Sequence, residues 1–275
     1  MVINSFKMDR AVILARGLGT RMRESNSEAG LDPGQEAIAQ TGVKALMPID
    51  RPFLDYLLSA LAEAGYRRVC LVIGPEHHAV RRYCNEELNC ERLELYFAVQ
   101  REARGTADAL VAAEEWVQGE PFLMINSDNY YPVEALAALR TLAGPGVAVF
   151  GWESMLERGN VSEDRLLSFS VVESGPDGLL ARIVEKPDPA ELQTLCGRWG
   201  LGMNCWRFDH RIFPACRAVE ISARGELELP DAVALAREAG VVFEVLHIED
   251  AVLDLSSRAD VSAVKKFLMG RTVRL

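Results

Sequence analysis

Short apolar runs alternate with amphipathic stretches along the first 150 residues of the chain. The runs at residues 11–15, 69–73, 93–99, 122–126 and 147–150 read as buried strands. Between them, residues 53–64, 76–84, 106–117 and 133–142 carry helical periodicity. Leu54, Leu57, Leu58 and Leu61 fall on one helical face, and Gly65 stands where a C-terminal cap glycine belongs. The alternation predicts an α/β fold with a doubly wound, mostly parallel, Rossmann-like sheet. After Trp152 the rhythm changes. Residues 166–173, a Gly-Pro-Asp-Gly turn at 175–178 and residues 179–185 predict an antiparallel hairpin, read as a small second layer. Residues 24–41 lack apolar periodicity and read as a mobile surface loop.

The 275 residues suffice for one large α/β domain, which is the expectation, or for two small ones. Thirty basic against 40 acidic residues give a net charge of −10, which opposes general binding to nucleic acid or to an anionic membrane. Any phosphate site must then be a local basic pocket. No run approaches the roughly 18 to 20 apolar residues of a membrane span, so a cytoplasmic protein is expected. The cysteines at 70, 84, 90, 196, 205 and 216 form no Cys-x-x-Cys pair and read as reduced thiols. A zinc site from Cys84, Cys90 and His77 or His78 is the weaker reading.

Candidate chemistry concentrates at strand ends. The first strand runs into Arg16-Gly17-Leu18-Gly19-Thr20-Arg21, where glycines let backbone N–H groups approach an anion and arginines supply charge. Lys44, in Val43-Lys44-Ala45-Leu46-Met47-Pro48, either reaches those phosphates or is a solvated surface charge. Gln100, ahead of Gly105 and Thr106, either reads a base edge with its amide or belongs to an ordinary helix entry capped by Thr106. Asp128 follows a buried strand at the edge where α/β sheets place ligands, and Asp254 ends another apolar run. Two such carboxylates suit Mg²⁺, while a helix cap or turn is the competing role for each. Glu185 and Lys186 would point to opposite faces unless the strand stops before Pro187. They either meet a sugar and a second phosphate or form an exposed ion pair.

Eight segments in order carry a family resemblance. They are LARGLGTRM, VKALMPIDRP, QREARGTA, NSDN, VEKP, LGMNCWRFD, RGELELPDA and LDLSSRAD, spanning Ala11 to Asp260. The chain resembles the nucleotidylyltransferases that join a sugar 1-phosphate to a nucleoside triphosphate, such as glucose-1-phosphate thymidylyltransferases and uridylyltransferases. The resemblance implies one domain over 1–275, with a nucleotide-binding half at 9–152, a sugar-phosphate half at 153–260 and a C-terminal helix and tail at 260–275. By position it places Ala15, Gly17, Gly19, Thr20, Gln100, Gly105 and Thr106 at the nucleotide, and Glu185, Gly202 and Asn204 at the sugar phosphate. Arg21, Lys44 and Lys186 become the catalytic cations, and Asp128 and Asp254 the Mg²⁺ ligands.

Four places depart from the family pattern: Arg16 for a small residue, Ser127 for glycine, the long 24–41 link, and Leu255 to Ser257 for glycine-threonine. The implied partners are a nucleoside triphosphate, UTP or dTTP, and a hexose 1-phosphate, with homo-oligomerisation left open. The alternatives are a non-sugar acceptor such as phosphocholine, a molybdenum cofactor as acceptor, and an inactive nucleotide-binding regulatory chain. A phosphate nucleophile is already anionic near neutral pH, so no general base is required.

Overall fold

A computed structural model describes residues 8–24 and 29–275. Its strands begin with β1 (Arg10–Leu14), β2 (Arg68–Ile73), β3 (Glu94–Val99), β4 (Phe122–Asn126), β5 (Asn129–Tyr130) and β6 (Gly146–Phe150). They continue with β7 (Ser170–Ser174), β8 (Leu180–Val184), β9 (Arg198–Phe208), β10 (Glu244–Ile248) and β11 (Leu253–Asp254). Nine of them form one sheet along the order β10-β6-β9-β4-β1-β2-β3, and the β7–β8 hairpin joins it through β9. The β1–β2, β1–β4, β2–β3 and β6–β10 pairs are parallel, whereas β9 runs antiparallel between β4 and β6.

Strand alternation explains the two-sided core. In β1, Ala11 and Ile13 join Leu71 and Ile125 on one face, while Val12 and Leu14 join Val72 and Met124 on the other. Each such aliphatic side chain contributes about 1.5–3 kcal/mol by leaving water. A third apolar cluster joins Met22, Met47 and Phe53 to Leu255, Val261 and Leu268. Through it the helix Asp260–Leu268 clamps the end of the chain beside the glycine loop. Arg258 completes that clamp by donating through Nε to the Met22 carbonyl (2.9 Å) and pairing with Glu36.

The structure revises several boundaries. Within 24–41, Pro33–Thr41 is a helix rather than a loop; residues 25–28 lie outside the described residues. Asp32 caps it through the Gln35 N–H (2.9 Å), Gln35 answers in a capping box, and proline occupies the first turn. The 106–117 stretch divides into helices Thr106–Val111 and Glu114–Val117, and the 133–142 helix ends at Leu139. Residues 76–84 yield a helix over His78–Arg82 followed by a π turn at Tyr83–Glu87. Leu166 ends a short helix, Glu163–Leu166, so the hairpin begins later, at Ser170. Among the described residues no three or more histidine, cysteine, aspartate or glutamate side chains gather as a metal site, which removes the zinc reading of Cys84, Cys90 and His77 or His78.

Candidate active site

The carboxyl ends of β1 and β4 lie side by side because the two strands pair in register, Leu14 opposite Asn126. The Ser127 N–H continues the pairing to the Leu14 carbonyl (3.0 Å). Above them Ala15, Gly17, Val43, Lys44, Thr106 and Asp128 help line a cavity of about 190 Å³. The two signature glycines differ in what they do. A Cβ on Gly17 would meet nothing within 4 Å, so its backbone faces open space. Gly19 has φ +63°, and a Cβ there would lie 2.4 Å from the Gly42 carbonyl oxygen. Gly19 therefore serves the turn, and Gly17 leaves an approach for a ligand.

Thr20 opens a short exposed helix, and the following Arg21 reaches across to donate to Ser256 Oγ (3.4 Å). Arg16 turns away, pairing with Glu76 at 2.8 Å and packing over Gly74. Gln100 is buried, and its amide donates to the Gly105 carbonyl (3.0 Å) and Asp108 (2.8 Å). It braces the turn into the Thr106 helix with the hydrogens that base reading would need. Gly105 has φ +120° and packs against the backbone of Leu227, while Thr106 Oγ1 accepts from the Leu229 N–H (2.9 Å).

Asp128 and Asp254 are brought together by the small β5–β11 ladder, in which Asp254 pairs with Asn129. The Leu255 N–H also donates to the Asp128 carbonyl (2.8 Å). Their surroundings differ. Asp128 is partly exposed, and its carboxylate accepts from Lys44 Nζ at 2.8 Å. Asp254 is buried and fully partnered: Arg165 donates to Oδ2 (2.6 Å), and Ser256 (2.9 Å) and Asn129 (3.1 Å) donate to Oδ1. Arg165 also holds Asp260 at 2.5 Å. Burial, reinforced by the negative charge of Asp128, pushes the Asp254 carboxyl up to about 6.

A larger cavity of about 500 Å³ adjoins the first, and Thr106, Asn126 and Asp128 line both. Glu185, Lys186, Gly202, Asn204, Arg21 and Asp254 are among its walls. Glu185 and Lys186 share this cavity because β8 stops at Val184 and Lys186 takes a left-handed backbone, φ 47°. Asn204 is left-handed as well, φ 51°. Two non-glycine residues in this conformation at one cavity mark locally strained backbone. Gly202 passes close to Ser170, whose Oγ would sit 2.3 Å from a Cβ. Burial, then the nearby Glu228, raises the Glu185 carboxyl above its ordinary range.

Of the sequence-predicted residues, Ala15, Gly17, Lys44, Thr106, Asp128, Arg21, Asp254, Glu185, Lys186, Gly202 and Asn204 line the joined cavities. Gly19, Thr20, Gln100 and Gly105 lie behind or beside that wall. The reading of single residues missed Asn126, Arg165, Arg224 and Glu226, although Arg224 and Glu226 fall in a matching segment. Trp206 stacks on Phe208 in the core, and Trp152 and Trp199 line a separate cavity.

A solved structure of UDP-glucose pyrophosphorylase with UDP-glucose superposes with a TM-score of 0.73 over 96% of this chain and 100% of that one, at 18% identity. That likeness speaks to the fold. A UTP–glucose-1-phosphate uridylyltransferase of Haloferax volcanii is 24% identical over 96% of this chain and 98% of the relative. A glucose-1-phosphate thymidylyltransferase of Streptomyces antibioticus is 27% identical over 94% of this chain and 66% of the relative. The bifunctional protein GlmU of Parvibaculum lavamentivorans is 29% identical, and the chain covers 53% of its length. The Nucleotidyl transferase family profile matches residues 10–251, the whole nine-stranded sheet and the walls of both joined cavities except Asp254 and Ser256, and the chain belongs to that family.

Proposed function

We propose that this protein transfers the nucleotidyl group of a nucleoside triphosphate to a sugar 1-phosphate, giving a nucleotide sugar and pyrophosphate. The carrying observation is the junction at Asp128, where the cavity beside Gly17 and Lys44 meets the cavity beside Lys186, Gly202 and Asn204. The named activities of the similar uridylyl- and thymidylyltransferases support UTP or dTTP with a hexose 1-phosphate. The triphosphate lies over Gly17, and the sugar phosphate lies against Lys186. An oxygen of the sugar phosphate attacks the α-phosphorus in line. A new P–O bond forms, the α–β bridging bond breaks, and its electron pair leaves on pyrophosphate.

The chain positions the two substrates and neutralises charge. Lys44 exchanges Asp128 for phosphate, Arg21 approaches from the Ser256 side, and Lys186 holds the sugar phosphate. Asp128 and Asp254 suit Mg²⁺ because the two carboxylates lie side by side and the charge of one opposes ionisation of the other; once Lys44 turns to phosphate, a divalent ion there would supply the counter-charge that Asp128 loses. The retained charged set supports an active enzyme over a regulatory chain. One domain is the reading that β9 supports, since this strand of the second half runs between β4 and β6 of the first.

No helix among the described residues is long and apolar enough to cross a membrane, and the six cysteines are free, which supports a cytoplasmic location. The test is pyrophosphate release with Mg²⁺, a panel of sugar 1-phosphates and each of the five common triphosphates. Release with one pair supports the reading and fixes specificity; silence across the panel in nucleotide-binding protein contradicts it.

A further inference from the structure

A second cavity of about 510 Å³ opens where β6 and β10 end and β9 begins, and it shares no wall residue with the two joined cavities. Its aromatic walls are Trp152 and Trp199, set edge to face with ring centres 6.2 Å apart. Its titratable walls are Glu153, Arg198, His247 and Glu249. Arg198 pairs with Glu249 at 3.1 Å, which leaves Glu153 as the excess charge. Burial, then the Arg198 charge, lowers the affinity of His247 for a proton and favours the neutral ring.

The hydrogen-bond network fixes the tautomer of that ring. The single Ser174 hydroxyl proton goes to the Arg198 carbonyl (2.9 Å), so the 2.9 Å contact with His247 requires Nε2–H as donor. His247 Nδ1 is then a bare acceptor. The formal charge is one negative, Glu153 and His247 Nδ1 offer acceptors, and two indole rings supply electron-rich faces. Phosphate is repelled there, and a neutral sugar gains little from the charge.

The geometry points to a binding site for a small molecule carrying a protonated amine, its cation between the indoles and Glu153 and an N–H directed at His247 Nδ1. The volume lies within the range of small-molecule pockets. The site also touches the segment that joins β8 to β9. Leu192, on the helix Pro189–Gln193, lines it, and that helix lies in the stretch that leaves β8 through Lys186 and reaches β9 at Arg198, the residue before Trp199. An occupant thus holds one end of the segment whose other end carries a cleft cation.

The test titrates the full chain with glucosamine hydrochloride, glucose and choline chloride, read by calorimetry and tryptophan fluorescence. Glucosamine is expected to bind about tenfold more tightly than glucose, with a fluorescence change, and choline, which lacks an N–H, more weakly than glucosamine. Glu153 is exposed, so Glu153→Gln is expected to keep the melting temperature and lose the preference for glucosamine. Trp199→Phe keeps an aromatic face and is expected to retain part of it. Equal binding of glucose and glucosamine overturns the proposal. So does binding unchanged in Glu153→Gln and Trp152→Ala, which would put the amine in the catalytic cleft, and so does silence for all three probes.

Discussion

Asp128 and Asp254 both end short apolar stretches and meet across one two-residue ladder, yet they sit in opposite kinds of surroundings. Asp128 has one cation, Lys44, at 2.8 Å, and a cavity on either side. Asp254 is gripped by Arg165, Ser256 and Asn129, and Arg165 is in turn held by Asp260. One carboxylate rests on a single side-chain partner, which the proposed chemistry has it exchange. The other is fixed in place, which is what a positioned ligand requires. Like residues at like strand ends therefore divide into a working group and an anchored one.

The largest effect expected from breaking this division is at Asp128. Asp128→Asn keeps the size of the side chain and removes its charge, and turnover is expected to fall by about a thousandfold or more with an unchanged melting temperature. Steady-state pyrophosphate assays and thermal denaturation check both halves; a large loss of stability would place Asp128 with Asp254 among the anchored groups.

At Asp254 the order reverses, with stability affected first. Arg165→Leu strips the buried carboxylate of its cation and leaves Asp260 unpaired too, at an expected cost of about 3 kcal/mol in urea denaturation. A loss under about 0.5 kcal/mol would mean that the pair behaves as an ordinary surface ion pair.

The signature glycines repeat the contrast on a smaller scale. Gly19→Ala forces a Cβ against the Gly42 carbonyl at positive φ and is expected to destabilise the fold by about 1–3 kcal/mol. Gly17→Ala meets open space, so its melting temperature should hold while the KM for the triphosphate rises about tenfold. Equal destabilisation by both would erase the distinction. The smallest effect is thermal: saturating Mg²⁺ alone should raise the melting temperature of the native chain by a few degrees, and of Asp128→Asn by less, because the proposed ion site exists only in the folded chain.

The sheet was legible because strand burial writes itself as apolar runs. β1, β2, β4 and β6 lie within a residue of their predicted bounds. The helix Pro33–Thr41 was hidden because its fully buried positions are Gln35 and Ala39, and Ile38 is its one large apolar side chain against the core. Its Asp32 cap, first-turn proline and Gly42 stop signal were nonetheless in the sequence. Asp128 and Lys186, just past strand ends, were reachable from spacing, and Gly202, inside β9, from motif order. Arg165 was not, because its four-residue helix has no periodicity and its partner Asp254 lies 89 residues away in the chain. Gln100 shows the converse: its position at the entry to the Thr106 helix was legible, but the burial that commits its amide to Gly105 and Asp108 is a tertiary fact.

The most direct measurement is phosphorus NMR of one mixture containing the protein, Mg²⁺, glucose 1-phosphate and UTP or dTTP, run beside Asp128→Asn. The account predicts paired diphosphate resonances of a nucleotide sugar growing together with pyrophosphate in the native protein, and neither in the variant. Nucleotide sugar formed equally by both proteins would contradict the central role of Asp128. Triphosphate consumed without any nucleotide sugar would contradict the joined-cavity reading itself.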